Sequence, residues 1–360
     1  MRQQQVAIIG SHGLYASYGG WDQLVNNLVE LRSGAVQYVV YNSVESQRRE
    51  RYPKGVKVIH LPWKASGLQG MLYDYFSIFQ AYWKSDAILL LGVQGIPLLF
   101  LLLFFRKTKI VGNVGGIEWE RPKFNIFAKL YLKFCFFLAA QIADTVILDN
   151  EHYGIFLPKN MRACIHYIPY GGYIDTSKTV DSKMLAKYSF LSSRYFLSIS
   201  RAIADNQVAE ICEYFSSKSV PLVMISNFSS SEYGRNLLEK YNANPNLVLI
   251  DGLYQKDELD LVRRNCLAYI HTHTLCGTAP SLVEMVMTGK PIISIDIPQN
   301  RYTLNNEGAY FKSFGELDNL INSSINLEKY IPHKNLRKKY EWIRIVRQYE
   351  ATFTQAVAKA

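Results

Sequence analysis

The sequence predicts an α/β protein of two domains, each a parallel sheet covered by helices on both faces. Three observations carry this reading. The chain has 360 residues, against about 100–200 for one ordinary domain. Short apolar runs alternate with helically spaced apolar residues, the pattern of strands joined by crossover helices. That pattern stops and restarts near Tyr195.

In the first half, Val6–Ile9 reads as a strand, Gly10 to Gly20 as a loop, and Leu24, Val25, Leu28, Val29 and Leu31 as the apolar face of a helix. Further strands are expected at Tyr38–Tyr41, Val56–Leu61, Ala87–Leu91, Ile110–Val114 and Thr145–Leu148. In the second half, Tyr195–Ile199, Pro221–Ile225, Val248–Ile250, Ala268–Ile270 and Pro291–Ile295 read as strands, with helices over Ala204–Phe215 and Ser281–Met287. A linker is expected within Gly171–Leu191. The domains are therefore set at residues 1–178 and 190–335. A C-terminal helix follows over 336–360, with Trp342, Ile345, Val346 and Tyr349 on one stripe. Tandem domains of this kind bind ligands in a cleft at the carboxyl ends of their strands.

Hydrophobic residues make up 49% and charged residues 19%, which excludes a disordered chain and a coiled coil. The five cysteines, 135, 164, 212, 266 and 276, are far apart, with no Cys-x-x-Cys. Neither a disulfide framework nor a zinc site nor a Cys/His nucleophile pair is expected, and a cytoplasmic, reducing compartment fits. The N-terminus runs straight into a strand, with no signal-peptide pattern.

The net charge of +10 is uneven: residues 1–180 carry +7 of it. An anionic partner follows, whether nucleic acid, a phosphate-bearing substrate or a membrane. Ala87–Phe105 holds no charged residue, but Gly92, Gly95 and Pro97 interrupt it, so a spanning helix is not expected. Residues 106–134 carry seven Lys/Arg and two Glu among Trp119, Phe124, Phe127, Tyr131 and Phe134. Basic side chains among aromatics suit an anionic membrane surface. No helix-turn-helix, RNA-recognition or zinc signature supports nucleic acid.

The richest chemistry lies in His271 to Ser294. A strand ends near His271, a loop carries Gly277 and Thr278, and a helix opens near Pro280 or Ser281 and stops at Gly289. A helix N-terminus behind such a loop is a ready phosphate site. Glu284, one turn in, is placed to meet ribose hydroxyls. Arg201 follows the first strand of the second domain, where a cation can stabilise a leaving diphosphate. No Asp-x-Asp pair ends a strand, so no metal cofactor is expected. Asp22 and Glu118 are the acid/base candidates, and Glu284 stands with them as a catalytic candidate.

Gly277-Thr278-Ala279-Pro280-Ser281-Leu282-Val283-Glu284, followed by Gly289-Lys290-Pro291, resembles the donor motif of retaining, family-four GT-B glycosyltransferases. Ser17-Tyr18-Gly19-Gly20-Trp21-Asp22 resembles the Tyr-Gly-Gly-Phe-Glu signature of a bacterial branch that contains rhamnosyltransferases. Asn113–Lys123 resembles that branch's Asn-Val-Asp-Gly-Leu-Glu-Trp-x-Arg segment. The resemblance implies a GT-B fold: two Rossmann-like domains facing across a cleft, the C-terminal helix crossing back to the first. It implies transfer of a hexose or deoxyhexose, L-rhamnose from a dTDP donor among them, onto a lipid-diphosphate-linked glycan of surface polysaccharide. The protein would act at the cytoplasmic face of the membrane. Arg201, Asn206, Tyr254, Gly277, Thr278, Ser281 and Glu284 would hold the nucleotide sugar. Tyr18, Gly19, Gly20, Trp119, Arg121 and Lys123 would meet the acceptor.

The sequence departs from the pattern at four positions. The motif's upstream acid falls on Cys276, or on Thr274 in the rhamnosyltransferase-like branch. The clamp lysine aligns with Asn206, and the branch's Asp with Gly115. These departures motivate a rival reading, a catalytically degenerate scaffold in a polysaccharide assembly complex. A sugar-nucleotide epimerase is a third.

Overall fold

A computed structural model describes residues 3–16, 19–105, 108–121, 124–161, 163–321 and 326–358. The chain divides into two units. One comprises Met1–Gly171 with Trp342–Ala360, the other Gly172–Glu341.

The first unit is built on a parallel sheet. Its strands and helices run β1 (Gln4–Ile9), α1 (Gly20–Glu30), β2 (Val36–Asn42), β3 (Val56–His60), α2 (Gly67–Tyr82), β4 (Ala87–Leu91), α3 (Ile96–Leu102), β5 (Lys109–Asn113), α4 (Ile126–Ile142), β6 (Thr145–Leu148) and β7 (Cys164–Tyr167). The strand order is β3-β2-β1-β4-β5-β6-β7. β1 lies between β2 and β4, with Val6 opposite Tyr38 and Ala87. Strands buried on both faces read as continuous apolar runs, and Ala87–Leu91 is such a run, buried throughout.

Each sheet face has its own core. Leu24, Val25, Leu28 and Val29 of α1 pack on one, together with Trp342, Ile345, Val346, Tyr349 and Phe353 from the C-terminal end of the chain. On the other face lie α2, α3 and α4, through Tyr73, Ile78, Tyr82, Ile96, Leu99, Leu132 and Phe136. The outward side of this second layer is also apolar. Phe76 and Phe79 of α2, Phe100 and Leu101 of α3, Phe104 and Phe105 just after it, and Ile126, Phe127, Leu130 and Phe134 of α4 are all exposed. Phe104 is 82% exposed and Phe127 80%. Among the described residues no helix is long and apolar enough to cross a membrane.

The second unit runs α5 (Ser182–Lys187), β8 (Phe196–Ile199), α6 (Val208–Phe215), β9 (Leu222–Ser226), α7 (Glu232–Tyr241), β10 (Leu247–Asp251), α8 (Lys256–Asn265), β11 (Ala268–His271), α9 (Pro280–Thr288), β12 (Ile292–Ile295), α10 (Pro298–Thr303), β13 (Ala309–Phe311), α11 (Phe314–Ile321) and α12 (Lys334–Lys339). Its parallel sheet has the order β10-β9-β8-β11-β12-β13. The closing helix of the chain, α13 (Trp342–Ala358), returns to the first unit.

Two boundaries differ from the sequence reading. The tail pattern starts at Leu336, but Leu336 and Tyr340 are buried in the second unit's core, and α13 begins at Trp342. The segment read as a linker carries α5, whose Met184 is buried, and Phe190 and Leu191, which pack in the same core. Both stretches look polar in sequence because each offers only a few apolar anchors. The strands β7 and β13 were not expected either; they are short and sit at sheet edges.

Candidate functional site

In open parallel sheets, ligands bind at the carboxyl ends of two adjacent strands whose connections leave in opposite directions. The second unit has this switch point between β8 and β11, because β9 and β10 extend the sheet one way and β12 and β13 the other. The loops that leave β8 and β11 are tied together there. Thr274 donates from its backbone N–H and its hydroxyl to the Asp205 carbonyl, at 3.2 and 2.8 Å. The Thr272 hydroxyl donates to the Asn206 carbonyl. These bonds bring the segment that begins at Arg201 beside the segment that carries Gly277 and Thr278.

Arg201 is exposed on its loop. Asn206 is buried, and its amide donates to the Arg201 carbonyl at 2.9 Å. Asn206 therefore shapes the loop rather than offering its amide outward. The helix α9 opens with Ala279 as N-cap and Pro280 at its first turn, and closes at Gly289 with φ +70°. Proline is preorganised for a first turn and glycine for a left-handed stop. The positive end of α9 therefore lies at Gly277–Ser281.

Glu284 is buried at 8% exposure and belongs to an ion network. Its carboxylate pairs with Arg263, and its other oxygen lies 3.7 Å from the Lys256 ammonium. Arg263 donates to Asp260 at 2.6 Å, and Lys256 to the same carboxylate at 2.7 Å. Burial alone would lower the Arg263 pKa, but Glu284 and then Asp260 outweigh it and the net direction is upward. The expectation of a ribose-facing Glu284 thus meets a carboxylate already held by two cations. Tyr254 is 79% exposed, on the loop after the edge strand β10, which β9 separates from β8.

Beside the switch point, His271, His273 and Cys276 converge, a grouping for which spacing gave no sign. One ligand atom from each lies within 4.8 Å of the others. His271 is fully buried; burial first, and His273 second, hold its pKa well below 6.5. The signal that was available is the strand ending on His271, which lets a loop of five residues fold Cys276 back over it.

The first unit has its own switch point, between β1 and β4. Gly19 caps α1 and Gly20 begins it. Asp22 is buried, with one carboxylate oxygen accepting from the His12 backbone N–H at 2.9 Å and the other from Gly19 at 3.3 Å. The second oxygen also lies 3.2 Å from His12 Nδ1. The hydrogen bond to Asp22 raises the His12 pKa above 6.5 against the effect of burial. His12 is thus the partner that Asp22 holds.

Gly115, where the resemblance expects Asp, has φ +63°, and a Cβ there would lie 3.2 Å from the Trp21 ring. Space for the indole accounts for the glycine. Glu118 and Arg121 pair with each other at 2.8 Å. Trp119 corrects the sequence reading: it is buried and stacks edge-on against Phe136 and Phe156, so its ring belongs to the core rather than to an acceptor. Tyr18 and Lys123 lie outside the described residues.

Residues 3–173 match a family model described as a domain of unknown function, DUF1972. No curated protein matches the sequence. Among solved structures, the chain is similar to sucrose-phosphate synthase from Thermosynechococcus elongatus, with a TM-score of 0.78 at 14% identity over 99% of this chain and 100% of that one. It is similar to Anabaena HepE in complex with UDP-glucose, with a TM-score of 0.71 at 14% identity over 98% and 100%. It is also similar to an E. coli trehalose-6-phosphate structure bound with UDP-2-fluoro glucose, with a TM-score of 0.70 at 10% identity over 98% and 99%. What this likeness establishes is the fold: the chain has the GT-B fold, with two parallel-sheet α/β units.

Proposed function

We propose that the protein is a glycosyltransferase that moves a hexose or deoxyhexose from a nucleoside-diphosphate sugar to a lipid-diphosphate-linked glycan. One observation carries the reading: at the switch point of the second unit, the Arg201 loop is bonded to the loop that leads into α9. A guanidinium beside a helix N-terminus is an anion site that needs no acid to complete it. The solved structures named above, two of them bound to UDP-sugars, share the fold and support this class of donor. L-rhamnose carried on dTDP enters through the sequence resemblance alone.

The lipid-linked acceptor draws support from the apolar outer face of α2, α3 and α4. Soluble surfaces rarely leave so many large aromatics exposed side by side. In this proposal the face rests on the cytoplasmic leaflet, and the work of the protein is surface-polysaccharide assembly in a bacterium.

The test is a thermal-shift and donor-hydrolysis panel of UDP-, dTDP- and GDP-sugars. Saturation at 100 times Kd stabilises by about 2.7 kcal/mol. One nucleotide sugar should shift the parent protein, and Arg201→Ala should lose that shift. A panel without any shift refutes the reading. The scaffold alternative has one observation in its favour, the engagement of Glu284 by Arg263 and Lys256. Nucleotide binding without donor turnover, even with acceptor lipid extract present, would select it.

A further inference from the structure

We infer that His271, His273 and Cys276 form a binding site for a borderline-soft divalent cation, zinc before others. The three ligand atoms lie within 4.8 Å of one another, and Cys276 Sγ is 4.0 Å from His271 Nε2. The two imidazole rings are 4.3 Å apart at 46°. Around a tetrahedral zinc, nitrogen and sulfur donors sit about 3.3–3.6 Å from each other. A small closure of the loop therefore brings the three donors to the separations zinc requires.

The surrounding bonds set the donors for such an ion. The Tyr269 hydroxyl donates its one proton to the Ile199 carbonyl at 3.1 Å. Toward His271 Nδ1, 3.3 Å away, it is left to accept. Nδ1 therefore carries the imidazole proton, and Nε2 presents its lone pair on the side of Cys276. This is the outer hydrogen bond that metal-binding histidines use to fix their tautomer. The Asn300 amide donates to the Ile295 carbonyl at 3.2 Å and the His273 carbonyl at 3.4 Å, which turns its oxygen toward Cys276 Sγ at 3.5 Å. The Cys276 thiol donates to that oxygen, with its Sγ 4.0 Å from His271 Nε2.

One thiolate and two imidazoles suit zinc and exclude a preference for magnesium or calcium, which take oxygen donors. On binding, the sulfur–metal bond forms as the thiol proton leaves to solvent. Three protein donors leave a fourth position for water or an anionic oxygen. His273 and Cys276 are half-buried, which gives the ion a way in. The ion would order the loop that carries Gly277 and Thr278. The sequence led to the expectation of neither a metal cofactor nor a zinc site, and this cluster departs from both, because its donors meet through the fold of the loop rather than through a regular spacing.

The test uses the full chain, chelator-treated under reductant and then titrated with Co2+ in the absence of nucleotide. One Co2+ per chain should bind, with a sulfur-to-cobalt charge-transfer band and the visible bands of four-coordinate cobalt, both displaced by Zn2+. Cys276→Ser should abolish the charge-transfer band. His273→Gln should weaken Co2+ by more than about tenfold. Cys164→Ser, which removes an exposed thiol elsewhere, should leave both signals intact. Absence of the charge-transfer band in the parent protein, or its survival in Cys276→Ser, overturns the inference. Because no sugar nucleotide is present, this result is independent of whether the donor panel succeeds.

Discussion

Glu284→Gln should destabilise the second unit by about 3 kcal/mol, the low end of the range for breaking a buried ion pair. The network holds two carboxylates, Asp260 and Glu284, against two cations, Lys256 and Arg263. Removing one negative charge leaves Arg263, only 2% exposed, sharing Asp260 with Lys256. Lys256 is 39% exposed and regains water, whereas Arg263 cannot, which places the cost at Arg263. All five tryptophans, 21, 63, 83, 119 and 342, belong to the first unit. Urea unfolding followed by tryptophan fluorescence thus reports the first unit, and far-ultraviolet circular dichroism reports both. The variant should shift the dichroism transition and leave the fluorescence transition in place. Arg263→Met with Glu284→Leu, which keeps Asp260 paired with Lys256, should recover most of the loss. A Glu284→Gln protein within about 0.5 kcal/mol of the parent refutes the structural role. If that same protein also lost its nucleotide shift, the carboxylate would be a ligand group instead.

Three further predictions concern the first unit. His12→Gln should destabilise more at about pH 5.5 than at about pH 8.5. The folded-state pKa of His12 is raised by Asp22, so its contribution is full below the unfolded value and fades as pH rises through the folded one; equal losses at both pH values count against the pairing. Gly115→Ala should cost about 1–2 kcal/mol in equilibrium unfolding, because φ is +63° and Trp21 fills the space; a neutral outcome would mean that the ring moves aside freely. Phe104→Asp with Phe127→Asp should lower binding to phosphatidylglycerol vesicles by more than about tenfold, since burying one aromatic contributes roughly 1.5–3 kcal/mol. Nucleotide shifts should be untouched, and unchanged vesicle binding rules out this face.

The sheets were legible because parallel strands buried on both faces leave unbroken apolar runs, as Ala87–Leu91 and Ala268–Ile270 do. The motif glycines and Arg201 were legible because a loop after a strand advertises itself by Gly, Pro and charge. What sequence could not give is the third dimension of partnership. Trp119 sits in a basic aromatic stretch that looks exposed, yet its ring lies against Phe136 and Phe156. Arg263 and Glu284 are 21 residues apart, on two helices, and nothing local marks them as partners. The aromatic outer face draws on α2, whose Phe76 and Phe79 were not singled out, because exposure depends on which side of the helix meets the sheet.

The return of α13 sets an order of events during synthesis. When Gly171 leaves the ribosome, the first sheet has all its strands but lacks the cover that Ile345, Val346, Tyr349 and Phe353 supply. The second unit is complete at Glu341. The half that is made first is therefore finished last, once α13 has been made. Until then one apolar sheet face is covered by α1 alone, a state in which chaperone demand should peak. A nonsense mutation at the start of α13, near codon 342, would spare the second unit and leave the first without that cover.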